Sequence, residues 1–184
     1  MRTASRHMPP FVPAPMRLRH KLFGVVAALA LASTLLYFVA QASMLQLAVG
    51  TLAFAALGLY VNHVMQSTRR HLEALATERS GESICAFARS FDGREVDTWV
   101  IRAVYEELQE MLQLGSQAFP VRATDNLEID LKIDLNELDW HMSEAIPART
   151  GRPLLNAKAN PLWGKIRTAS DLVMFFNAQP RLKA

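Results

Sequence analysis

After a basic start, the chain runs through two long stretches that contain no Lys, Arg, Asp or Glu. Residues 22–41 read LFGVVAALALASTLLYFVAQ and residues 45–65 read LQLAVGTLAFAALGLYVNHVM. About twenty residues at about 1.5 Å rise cover the roughly 30 Å hydrocarbon core of a bilayer, so each stretch has the length of a spanning helix. Helix is the form expected, because backbone amides in lipid must find partners within their own segment. Only Ala42, Ser43 and Met44 separate the two stretches, and so short a link predicts an antiparallel hairpin. Arg2, Arg6, Arg17, Arg19 and Lys21 precede the first span, the turn carries no basic residue, and Arg69 and Arg70 follow the second. Basic residues stay on the cytoplasmic side, which puts both ends there. Asn62 and His63 are expected in the interface, bonded to water. The alternative is a secretory signal cut at Ala40-Gln41-Ala42, which would remove residues 1–42 and leave one span with the same sidedness. Against it, the apolar run exceeds the roughly 7–15 residues of a signal core.

Beyond the second span the apolar period stays helical while polar residues return. Residues 66–82 predict a helical stalk, with Leu72, Leu75 and Ala76 on one face and a stop at Gly81. Residues 83–91 place Ile84, Phe87, Ala88 and Phe91 at three-to-four spacing, ahead of Gly93. In EVDTWVIRAVYEELQEMLQL, the residues Val100, Val104, Leu108, Met111 and Leu112 form a stripe that Arg102, Glu106, Glu107 and Glu110 avoid, with Gly115 as the terminator. The segment LEIDLKIDLNELDWHMSEAI opens in strand-like alternation, but Asp134-Leu135-Asn136-Glu137 resembles a capping box and places a helix start near Leu135. That helix buries Leu138, Met142, Ala145 and Ile146, is interrupted by Pro147 and ends at Gly151. Residues 152–167 read as loop with one short turn. A last helix begins at Thr168, with Asp171 completing the cap, and buries Leu172, Val173, Phe175 and Phe176. The fold class expected is all-α: a basic segment at 1–21, a transmembrane hairpin at 22–65, a stalk at 66–82 and a small helical bundle at 83–184.

Charge separates the same two parts. Residues 1–79 hold eight Lys or Arg against two acids, and residues 80–184 hold twelve against fifteen. The basic surplus flanks apolar segments, where it meets anionic lipid, so it argues for a bilayer as partner and against nucleic acid. Cys85 is the only cysteine, which excludes an internal disulfide and a multi-thiolate zinc site. Its place in an apolar stripe predicts a buried packing residue, and a dyad with His141 is the weaker reading. The chain has no phosphate-cradling glycine loop, no Gly-x-Ser-x-Gly elbow and no His-Glu-x-x-His. Asp125, Glu128, Asp130, Asp134, Glu137 and Asp139 fall within fifteen residues. A solvated face at a helix N-terminus explains them, and a docking surface for a basic partner is the functional alternative. No calcium loop is spelled out, since the spacing differs and the glycine for its turn is missing.

The run Asp130-Leu131-Lys132-Ile133-Asp134-Leu135 resembles the Asp-Leu-Gly-x-Asp-Ser-Leu signature of acyl carrier proteins. VDTWVIRAVYEELQ, FPVRATDNLEIDLKIDLNELD and ANPLWGKIRTASDLVMFFN are similar to a bacterial family of acyl-carrier-like domains of unknown function, over about residues 83–180. The resemblance implies a carrier-like bundle on a bacterial inner membrane. It also implies that the position of the serine bearing phosphopantetheine falls on Leu135, or on Asp134 in a register shifted by one, and neither side chain can carry that group. Ser143 lies further along the helix. The expectation is therefore a non-enzymatic, cofactor-free, metal-free interaction module that docks a basic protein through Asp130, Asp134, Glu137 and Asp139, with Trp140 as an apolar anchor; Trp163 is expected to pack over the last helix, with a second anchor as its alternative role. A working membrane-tethered carrier, and an oligomeric membrane protein or accessory transporter subunit, are the alternatives. The spans lack the inward charges of a transport route.

Overall fold

The computed structural model describes residues 5–12, 28–34, 37, 39–112 and 118–181, with residues 135–141 described by their backbone alone. The described residues are mostly helical and form no strand, only an isolated bridge between Asn126 and Thr168. The chain divides into two compact units, Pro13–Ser67 and a second made of Met1–Val12 with Thr68–Ala184.

In the first unit, helical backbone is described at 28–34, 37 and 39–41. The rest of the expected first span (22–27, 35, 36 and 38) lies outside the described residues. Helix α1 (Met44–Glu78) begins at a reciprocal cap. The Gln46 N–H donates to Ser43 Oγ (3.3 Å), and Gln46 Oε1 accepts the Ser43 N–H (2.9 Å). Among the described residues, α1 alone is long and apolar enough to cross a membrane, and none of its apolar window is buried against protein. Leu52, Phe54 and Leu59 are 71 %, 78 % and 72 % exposed. The Thr51 hydroxyl donates back to the Leu47 carbonyl (2.7 Å), which satisfies it without water. As the sequence predicts, the helix continues past Met65 through the stalk residues.

The second unit is a helical bundle. It takes in the end of α1 from Thr68 onward, where Leu72 is buried. Gly81, at φ +93°, turns the chain into α2 (Ile84–Ala88), capped by Ser83. This helix is shorter than expected, because three-residue turns close at Ser90 and Phe91 and an Asp92 carboxylate turn captures the Arg94 N–H (2.9 Å). Phe91 still reaches the core, its ring 5.3 Å from that of Phe87. Helix α3 (Thr98–Met111), capped by Asp97, lies at the centre against α2, α4 (Leu135–Thr150) and α5 (Ala169–Ala178). Val100, Val104, Leu108 and Leu112 are buried as the stripe predicts. Ile101, Ala103 and Tyr105 join them because the helix is covered on several sides. The expected terminator Gly115 lies outside the described residues.

Two expectations about these helices are corrected. Glu107 does not avoid the core: it is buried, and Arg149 of α4 donates to it (3.0 Å) while also pairing with Glu106. Desolvation holds the Glu107 carboxyl above the usual range despite that partner. Pro147 does not interrupt α4, which runs through it to Thr150. A proline removes one N–H, so a single helical bond is forfeited near the end. Buried Ile146, Arg149 and Thr150 hold the last turn, and Gly151, at φ +68°, ends it with an N–H to the Pro147 carbonyl (2.8 Å). Met142, Ala145 and Ile146 are buried as expected, while the side chain of Leu138 lies outside the described residues.

Residues 152–167 contain one short 3-10 turn (Ala157–Ala159). Thr168 and Asp171 then form a complete capping box for α5, whose Leu172, Val173, Phe175 and Phe176 are buried. At the other end of the chain, a single turn (Ser5–His7) lies on α3, and Met8, 9 % exposed, enters the same core as Leu72 and Phe87.

Candidate functional site

The acidic segment is a loop pinned from both sides before it becomes a helix. Leu127, Leu131 and Ile133 are buried and draw it onto the core. Its backbone is tied by Leu127 N–H to the Arg167 carbonyl (2.9 Å) and Ile133 N–H to the Leu127 carbonyl (2.8 Å). Asn126 Oδ1 accepts the N–H groups of Glu128 (3.1 Å) and Ile129 (2.9 Å), an Asx turn that folds the segment back. Lys132 sits at φ +57°, in left-handed backbone that residues other than glycine rarely adopt. That reversal explains why strand-like alternation did not become a strand, and why Ile129 is left 65 % exposed while its neighbours two and four positions on are buried. Ile129 is an apolar surface residue that the sequence pattern did not single out.

The predicted docking residues fall into three groups. Asp130 is half-buried, and its Oδ2 accepts the Asn126 N–H (2.8 Å), so its carboxylate holds the loop as well as lending charge. Asp134 is exposed and immediately precedes Leu135, the first residue of α4. Glu137, Asp139 and Trp140 lie on the first turns of α4, but their side chains, like that of His141, are outside the described residues. Glu128 adds a further exposed carboxylate beside Ile129.

Asp125 departs from the solvated face predicted for it. It is 3 % exposed, and its Oδ2 accepts both Arg79 Nη1 (2.8 Å) and the Arg122 N–H (2.7 Å). Arg79 is itself buried directly after α1, so this pair joins that helix to the loop. The end of α1 meets the loop again where His71 Nε2 donates to the Asp130 carbonyl (2.9 Å). Arg122 then grips Glu82 through Nε (2.9 Å), and this hydrogen bond holds the Glu82 carboxyl below the usual carboxylate range. A cavity of about 570 Å³ opens between these elements, lined in part by Glu73, Arg79, Glu82 and Phe119. Its central cation is already paired with Asp125.

Cys85 is exposed, contrary to the packing role expected of it, because α2 is only five residues long and turns Phe87 inward instead. Among the described residues, no group of three His, Cys, Asp or Glu side chains is placed to hold a metal ion. Trp163 packs over the last helix, its ring 6.4 Å from that of Phe175, and remains 45 % exposed. Compared with protein-family models, with curated proteins and with solved structures, the chain matches none.

Proposed function

We propose that this protein is a non-enzymatic interaction module with a carrier-like fold, held on the inner membrane of a bacterium by an N-terminal hairpin, with both ends in the cytoplasm. It docks a basic protein partner through the acidic loop and the start of α4. The observation that carries this reading is the backbone at the motif. Lys132 adopts left-handed geometry at the position that the carrier signature gives to glycine, and Leu135 opens α4 at the position it gives to the modified serine. The loop reverses at Lys132 and offers no hydroxyl where α4 begins. Exposed Glu128 and Asp134 supply surface charge that steers a cationic partner.

Sidedness has its own support. Met8 lies in one core with Leu72 and Phe87, and a chain that leaves a compartment and returns to it crosses the boundary an even number of times. With α1 as one crossing, the apolar stretch before it supplies the other.

The test is cross-linking of the full chain in its native membranes. Reversing Glu128, Asp134, Glu137 and Asp139 to lysine is expected to reduce recovery of the partner by about tenfold or more, and high salt should do the same to the wild type. If every association survives the reversal, the docking surface lies elsewhere. Intact-mass measurement on protein from the native host checks the alternative: a phosphopantetheine adduct would make the chain a working carrier and overturn the reading.

A further inference from the structure

We propose that the connection between α4 and α5, residues 152–167, is a lipid-binding surface selective for anionic headgroups. This rests on the reading that the chain lives on a bilayer. The connection is built with two sides. Leu154, Ala157, Leu162 and Ile166 pack against the core, which fixes the outward side. Along the same connection Leu155 is 63 % exposed and Trp163 45 %, and Lys158, Lys165 and Arg167 are exposed as well. The turns that present them are tied down: the Leu162 N–H donates to Asn160 Oδ1 (3.0 Å), whose Nδ2 donates to the Phe175 carbonyl (2.9 Å). Left-handed backbone at Asn156 and Gly164 makes the two bends. The surface is therefore presented without further ordering.

Within the connection itself the charge is of one sign. Residues 152–170 contain no Asp or Glu. Asp171, the next acid, is committed to the N–H groups of Arg167 and Thr168. Lys158, Lys165 and Arg167 make no ion pair among the described residues, in contrast to Arg149 and Arg152, which are paired with Glu106, Glu107 and Asp97. A cationic surface that also exposes an indole and a leucine matches the headgroup region of an anionic bilayer, where indole rings reside, lysines meet phosphate and short apolar side chains reach the acyl boundary. An acidic protein surface, including the acidic loop of a second copy, would satisfy the lysines but would leave Leu155 and the edge of Trp163 without an apolar counterpart.

The experiment uses the full chain reconstituted in phosphatidylcholine vesicles, with or without about 30 % phosphatidylglycerol, and brominated phosphatidylcholine as the quencher. Trp99 and Trp140 also fluoresce, so the share of Trp163 is the difference between wild type and Trp163→Phe. In anionic vesicles that share is expected to be quenched by half or more on the order-of-magnitude scale of interfacial indoles. The quenching should fall several-fold in neutral vesicles and vanish in the Lys158→Glu, Lys165→Glu, Arg167→Glu variant; Lys158→Gln, Lys165→Gln, Arg167→Gln gives an intermediate result, and circular dichroism confirms that both fold. Quenching that is equal in wild type and Trp163→Phe, or that persists in the charge-reversed variant, overturns the proposal. So does a Trp163 signal that follows protein concentration instead of lipid charge, since that assigns the surface to a second copy. Alkaline carbonate separates this from the anchoring: if the wild type is extracted, the anchoring fails, and flotation of the extracted chain with the same vesicles still reads the headgroup preference.

Discussion

Asp125 sits in the most acidic stretch of the chain and carries none of its surface charge. It lies 46 positions from Arg79, and the two meet at 2.8 Å where both are almost fully buried. Removing one member of such a pair strands the other charge in a dry environment, so Asp125→Ala or Arg79→Ala should destabilise the helical unit by about 3–5 kcal/mol. The double variant Arg79→Ala, Asp125→Ala should cost less than the two single effects combined; urea unfolding in detergent measures all three. Nothing near Asp125 in the sequence distinguishes it from Glu128 or Asp134, because the distinction is made by a residue on another element. Glu107 repeats the lesson: three acids share its helix, and it alone is buried because Arg149, 42 positions later, reaches it. Local pattern assigns charge to the outside, and only a distant partner reverses the assignment.

Elements that begin on a local device were legible. The Thr168–Asp171 box starts its helix as the sequence predicts, with side-chain oxygens bonded to N–H groups within four residues of sequence; Ser83 and Asp97 cap their helices in the same way, although the sequence pattern did not pick them out. Elements decided by tertiary cover were not. Pro147 stays within α4 because buried neighbours hold the turn beyond it. Within the candidate site, the start of α4 was readable from Asp134-Leu135-Asn136-Glu137, whereas the left-handed turn at Lys132 was not. That turn has a measurable cost. Lys132→Gly should stabilise the unit by about 0.5–1 kcal/mol by relieving left-handed strain, and Lys132→Val should destabilise it by about 1 kcal/mol or more, read from paired denaturation midpoints.

At the scale of the molecule, the helical unit draws on both ends of the sequence, joining Met1–Val12 to Thr68–Ala184. Met8→Asp should therefore cost the unit about 2 kcal/mol and accelerate trypsin cleavage after Arg6, while Leu52→Ala, on the exposed half of α1, should leave its unfolding unchanged. Equal behaviour of the two variants would show that the N-terminal segment contributes nothing to the fold. The burial of Met8 also sets an order of biosynthesis. A ribosome adding about 5–20 residues per second delivers Ser5–His7 several seconds or more before the α3 surface on which that turn rests, so the turn must wait for its resting place. Any processing enzyme that cut after Ala42 in that interval would part Met8 from its resting place for good.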